Sequence, residues 1–317
     1  MPFTSVARSA TAGTRWFLVP PAVAVLATLL VGTGRRADAQ TPAMPVSIAS
    51  RTVVGAAADE ARRLHVVVVV THDFAFEMPD TIPAGATTFR LRNAGRQPHH
   101  LMLYRLDTGH GLEDVLAALR AGGAHPRWMQ PAGGPNAVVG ADESVGTVRL
   151  EPGRYAAFCH VKSPDNVLHF AKGMLKLITV TPEQRGRAQP MAGARAGLPE
   201  ADLTVTLSDY AFRFSHSPTR GRHRIAVTNR GRQAHEFILS KLAPGKTSAD
   251  FVHWMDTQEG APPVRPHGGA TDLPPGGTIV LDMDLEPGRY SAVCRVRDAV
   301  DGQPHDRHGM MTDFVVP

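Results

Sequence analysis

Three blocks of this chain occur twice, and their spacing restricts the fold more than any composition does. NAGRQPHH at 93–100 returns as NRGRQAHE at 229–236, LEPGRYAAFC at 150–159 as LEPGRYSAVC at 285–294, and HFAKGM at 169–174 as HDRHGM at 305–310. The offset is 136 residues at Asn93, His99, His169 and Met174, and 135 at Leu150 and Cys159. Register kept to one residue over so long a stretch marks a duplicated structural unit. A length of 317 residues also fits two domains of ordinary size, each able to bury a core. The expected boundaries are 61–182 for domain one and 201–317 for domain two. The Pro-, Gly- and Arg-containing stretch 183–200 between them reads as a linker.

Within a repeat the hydrophobic pattern is that of short strands. Leu64 to Val70 is β-branched and reads as a strand buried on both faces, THDFAFEMPD alternates toward a second, and further strands are expected at Thr87–Leu91 and from about His100. Leu112, Val115, Leu116 and Leu119 recur at helical spacing in GLEDVLAALRAGG, and the paired glycines stop the helix; SADFVHWMDT at 248–257 is its counterpart. The Pro- and Gly-rich stretch from His125 to Asn136 reads as loop. Residues 144–150 and 154–159 read as a hairpin about Glu151-Pro152-Gly153, and Met174 to Val180 as the last strand. The fold class is therefore all-β: two tandem, antiparallel Greek-key β-sandwiches, each with one short helix in a connecting loop.

Residues 1–39 read as a signal peptide. Arg8 and Arg15 precede an apolar run that ends near Val31, and Ala37-Asp38-Ala39 offers a small-x-small cleavage site before Gln40. The protein is thus expected to be exported to a periplasmic or other extracytoplasmic space, with 40–60 as a flexible linker and no membrane span once the signal is removed. Of the net charge of +5, +3 lies in the signal, where four arginines face Asp38. The remainder gives no case for nucleic acid, and no basic run interleaves with aromatics.

The repeated blocks carry a thiol, imidazoles and a thioether: Cys159, His169 and Met174 with His99 upstream, and again Cys294, His305 and Met310 with His235. Thiolate and imidazole suit copper, and a trigonal His, His, Cys plane with a long axial Met marks a blue-copper centre. An oxidising compartment also allows a Cys159–Cys294 disulfide. One thiol per repeat, each with its own His and Met, favours two metal sites.

At these residues the chain resembles the cupredoxin family. NAGRQPHH is similar to the segment that brings the first His ligand in plastocyanin-like proteins, and Cys, then His, then four residues and Met preceded by Gly is similar to the family's ligand loop. The resemblance implies one type 1 copper per domain, held by His99, Cys159, His169 and Met174 and by His235, Cys294, His305 and Met310. His100 and His308 stand close enough to compete with His99 and His305. Nine residues separate Cys from His in the first loop and ten in the second, a length closer to the type 1 domain of copper nitrite reductases. The histidines of a trinuclear or type 2 centre are missing: there is no His-x-His, Phe158 and Val293 precede the cysteines, and Tyr104 and Ser240 lie five residues after the first histidines. The resemblance thus implies an electron carrier, not an enzyme, exchanging single electrons with redox partner proteins of the cell envelope. Two other readings use the same residues: a copper-delivery protein with exchangeable metal, and a metal-free interaction module.

Overall fold

The computed structural model describes residues 64–182 and 197–317. The expected signal peptide at 1–39, the expected linker 40–60, the first residues expected for domain one and most of the expected linker 183–200 lie outside the described residues. Among the described residues no helix is long and apolar enough to cross a membrane.

Repeat one contains β1 (His65–His72), β2 (Ala75–Glu77), β3 (Thr81–Pro83), β4 (Gly85–Asn93), β5 (Met102–Leu106), helix α1 (Leu112–Ala121), β6 (Met129–Gly133), β7 (Glu143–Leu150), β8 (Gly153–Phe158) and β9 (Leu175–Thr181). Repeat two contains β10 (Leu203–Ser208), β11 (Ala211–Phe214), β12 (Gly221–Asn229), β13 (His235–Leu242), α2 (Ser248–Thr257), β14 (Val264–Leu273), β15 (Thr278–Leu285), β16 (Gly288–Val293) and β17 (Met311–Val316). Each repeat is a two-layer sandwich. In the first, β2-β1-β4-β7 faces β3-β9-β8-β5-β6; in the second, β11-β10-β12-β15 faces β14-β13-β16-β17. Most neighbours are antiparallel, but β1 runs parallel to β4, β3 to β9 and β10 to β12. Phe89, Leu91, Leu103, Val148, Tyr155 and Ile178 fill the first core, and Val205, Val227, Phe237, Leu281 and Tyr290 the second.

The two sandwiches share a sheet. Strands β7 and β15 pair antiparallel from Val148↔Ile279 to Val145↔Asp282, which fuses one layer of each repeat into a continuous eight-stranded sheet. A second seam joins the other layers: Asn136 N–H donates to the Gly269 carbonyl and Gly268 N–H to that of Ala137, each at 2.9 Å, and Thr271 N–H to that of Gly134 at 2.9 Å. Arg265 and Asp142 close it with an ion pair at 2.6 Å.

Three local expectations are corrected. Strand β1 alternates, leaving Val66 60% and Val68 40% exposed, because only one face of its sheet meets the core. Strand β6 replaces the expected loop; it lies at a sheet edge, where the missing N–H of Pro131 costs no central ladder bond. Strands β7 and β8 are not a hairpin but belong to opposite layers. The Glu151-Pro152-Gly153 turn is a corner, clamped by Tyr155 O–H donating to the Glu151 carbonyl at 2.8 Å, and Tyr290 clamps the Glu286 corner at 3.0 Å.

Candidate metal centre

Each site is assembled at one end of its sandwich from a strand-entry histidine and the loop before the last strand. Asn93 shapes the approach to His99: its side chain donates to the carbonyls of Gln97 (2.7 Å) and Val138 (2.9 Å) and accepts from Gly95 N–H at 2.8 Å. Asn229 repeats this with Gln233, Leu273 and Gly231. Gly95 is required by crowding, since a Cβ there would lie 2.5 Å from Asp73 Oδ1 and 2.8 Å from His99 Nε2. The ligand loops are latched by backbone bonds. Cys159 N–H donates to the Met174 carbonyl at 3.1 Å and Met174 N–H to that of His169 at 3.0 Å, with the same pair at Cys294, Met310 and His305.

The result is two fully buried His–Cys–His triads, His99–Cys159–His169 and His235–Cys294–His305, whose donor atoms all lie within 4.8 Å of one another. In the first, His99 Nδ1 faces His169 Nδ1 at 3.1 Å and Cys159 Sγ stands 3.5 Å from His169 Nδ1. In the second the corresponding separations are 3.0 and 3.4 Å. Donors bound at about 2.0 Å (nitrogen) and about 2.3 Å (sulfur) around one small ion stand about 3–4 Å apart, so the triads fit a transition metal without rearrangement. Met174 and Met310 are also fully buried in these loops. His100 belongs to neither triad; its Nε2 accepts from His160 N–H at 2.7 Å. His308 faces Asp301 at 3.2 Å instead of the second triad.

Sequence reasoning missed the carboxylates behind the triads. His99 Nε2 pairs with Asp73 Oδ1 at 3.2 Å and His235 Nε2 with Asp209 Oδ1 at 3.0 Å, so the outer nitrogen of each strand-entry histidine holds the proton and Nδ1 is left with a lone pair. The signal was present: DFAF at 73–76 and DYAF at 209–212 carry the same 136-residue offset. Also missed was a buried polar group between the repeats, where Tyr104 O–H donates to Asp272 with His125 packed edge-on against the Tyr104 ring and Glu236 nearby.

Burial, then the neighbouring ligand imidazole, pushes His169 and His305 down to about 4. Burial pushes the Cys159 thiol up to about 12 and that of Cys294 well above its usual range. The unfolded chain therefore binds protons that the native chain refuses as pH falls from about 6.5 toward 4, and loses protons that the native thiols keep above pH 9. Metal-free protein is expected to show its highest thermal midpoint between those limits and a fall on both sides. Calorimetry across pH 4–10 checks this, and a midpoint flat with pH would contradict it.

No protein-family model matches the chain, and no curated protein does. Among solved structures, a reduced auracyanin from Roseiflexus castenholzii is similar at 22% identity over 37% of this chain and 97% of its own, with a TM-score of 0.27. A blue copper oxidase from Nitrosomonas europaea aligns at 16% identity over 80% of this chain and 85% of its own (TM-score 0.24). A copper nitrite reductase from the same organism aligns at 15% over 80% and 93% (TM-score 0.22). The expectation that the chain is not an enzyme is withdrawn on these findings, since structures described as an oxidase and a reductase are among those similar to it. Its physical weakness is visible as well. Missing motif positions test only ligands local to one repeat, whereas Tyr104, His125, Glu236 and Asp272 are brought together from both. Strand order and paired triads together make this a cupredoxin-like fold, built twice in one chain.

Proposed function

We propose that the chain is an exported protein holding one type 1 copper in each repeat and exchanging single electrons with redox partner proteins of the cell envelope. The observation that supports this most is the buried His–Cys–His triad present twice, with matching separations of 3.1 and 3.5 Å and of 3.0 and 3.4 Å. His99, Cys159, His169 and Met174 hold the first ion, and His235, Cys294, His305 and Met310 the second. Copper bound to thiolate, imidazole and thioether supplies a one-electron couple acceptable to both oxidation states. The protein's part is to keep the donors where they are. Asp73 and Asp209 fix the tautomer of the entry histidines, the backbone N–H groups of His100 and Val161 reach the Cys159 sulfur, and that of Glu236 reaches Cys294 Sγ at 3.3 Å. Burial excludes water from both thiols. Export rests on residues 1–39 alone.

Metal analysis with visible absorption and electron paramagnetic resonance tests this on the full chain. Two coppers per chain and an intense thiolate-to-copper band are expected, and Cys159→Ser and Cys294→Ser are each expected to remove about half of both. Colourless protein that binds only Cu(I) would replace the carrier reading with copper delivery, and protein that takes up no copper would leave an interaction module.

A further inference from the structure

The two sites share a plan but differ around the outer nitrogen of the loop histidine. In the first, His169 Nε2 pairs with Gln97 Oε1 at 3.1 Å. Gln233, the counterpart of Gln97, is turned away in the second: its Nε2 donates to Asp298 Oδ2 and its Oε1 accepts from Ala299 N–H, both at 2.7 Å. Asp298 stands four residues after Cys294, where the first repeat has Ser163 four residues after Cys159. Tyr210, in place of Phe74, donates its hydroxyl to Asp298 Oδ2 at 2.5 Å, and the N–H groups of Val300 and Asp301 donate to Oδ1 at 2.7 and 3.2 Å.

Four donors on two oxygens leave no room for a proton, so Asp298 is an anion, and it is only 2% exposed. Its Oδ2 lies 3.9 Å from His305 Nε2, which has no hydrogen-bond partner. In the first site the counterpart Ser163 is neutral, and the charges nearest His169 on its own loop, Lys172 and Asp165, form an ion pair at 2.6 Å, with Lys172 4.7 Å from the centre of the Phe74 ring that packs edge-on against His169. The remaining charges do not cancel this contrast. Asp73 and Asp209 are common to both sites, and Asp306 beside His305 is paired with Arg295 at 2.9 Å.

We propose that Asp298 places the second copper centre at a lower reduction potential than the first, so that electrons entering at repeat two pass to repeat one. The inference rests on the copper reading above. Reduction removes one unit of positive charge from a centre, and a buried anion close to a ligand stabilises the more positive, oxidised state. One electron leaves the reduced second centre and enters the oxidised first centre; no bond forms or breaks and no proton moves. An external one-electron redox protein resupplies the second centre. Asp298 touches no substrate and acts through His305, as a positioning residue.

Potentiometric titration of the copper-loaded full chain, followed by absorption and paramagnetic resonance, tests this, with Cys159→Ser and Cys294→Ser isolating each centre. The second centre is expected to titrate below the first. Asp298→Asn should raise the second alone, shifting the partition of an electron between the sites about tenfold, which is about 59 mV for a one-electron couple. Ser163→Asp should lower the first, and it carries the test if Asp298→Asn does not fold. Copper-loaded protein with equal or reversed potentials, or a second centre indifferent to the charge at 298, overturns this inference and leaves the copper reading standing. Absence of copper in the metal analysis that precedes titration overturns both.

Discussion

Gly269→Ala is expected to lower the thermal midpoint by on the order of 10 °C, and Gly134→Ala to do nearly as much. A Cβ on Gly269 would stand 1.9 Å from the Phe237 carbonyl oxygen, and one on Gly134 2.1 Å from that of Leu101. Both obstacles are backbone, so no side chain can swing away, and the φ values of +113° and +146° are ones that L residues rarely adopt. The glycines occupy matching places on either side of the seam, where Thr271 N–H and Asn136 N–H bond across the repeats. Relief would separate the strands there, at a cost on the order of 3–5 kcal/mol. At about 2–4 °C per kcal/mol for a structure of this size, that gives the stated fall. Gly111→Ala serves as control, since its Cβ would meet nothing nearer than 3.9 Å and the position has no positive φ. Scanning calorimetry of the three variants decides the matter, and a Gly269→Ala midpoint equal to that of the control would show that the seam yields easily.

Asp73→Ala is expected to weaken copper at the first site about 10–100-fold and leave the second unchanged, with Asp209→Ala doing the reverse. Asp73 Oδ1 meets His99 Nε2 at 3.2 Å and also accepts the backbone N–H groups of Arg96 and Gln97 at 2.9 and 3.2 Å, so one oxygen aims the imidazole and pins the chain that carries it. Asp209 does the same for His235 and for Arg232 N–H, and the hydrogen bonds from His235 and Arg232 outweigh its burial and hold its carboxyl at about 2. Asp73→Asn separates geometry from charge, because an amide oxygen can accept the same three bonds. Competition with a chelator, read at each site's own absorption in the single-cysteine variants, gives the affinities. Loss at both sites from either substitution would mean that the carboxylates act on the whole fold and not on one ligand.

The residues of the two triads were legible because each occurs twice in the same order, so a chance His or Cys at one place is exposed by its absence at the other. Asp73 and Asp209 were equally repeated, yet a partner that reaches a ligand from a separate strand has no spacing to that ligand that a motif can express. The strands were found where alternation or β-branching ran for several residues. Strand β6 was read as loop because Pro131, Gly133 and Gly134 mark turns in most settings, and only its place at an edge makes the proline harmless. The corner at Glu151 was read as a hairpin for a related reason: local sequence shows a turn, but whether the chain returns to its own sheet or crosses to the other depends on what packs beneath it. Tyr155 and Tyr290, repeated in LEPGRY, were the residues that could have told the two apart. The meeting of Tyr104 with Asp272 spans 168 residues of sequence and has no local trace.

The pairing of β7 with β15 bears on how such a chain can arise and persist. In a solitary sandwich each of these strands would be an outer border with unpaired N–H and C=O groups, the kind of surface that recruits other chains and drives aggregation. Joined, the two borders satisfy each other within one molecule, and the hazard of either copy becomes the attachment of both. Once that attachment formed, neither copy could be lost without exposing the other's border, so selection for solubility alone would keep the pair together even while the surroundings of their His–Cys–His triads drifted apart.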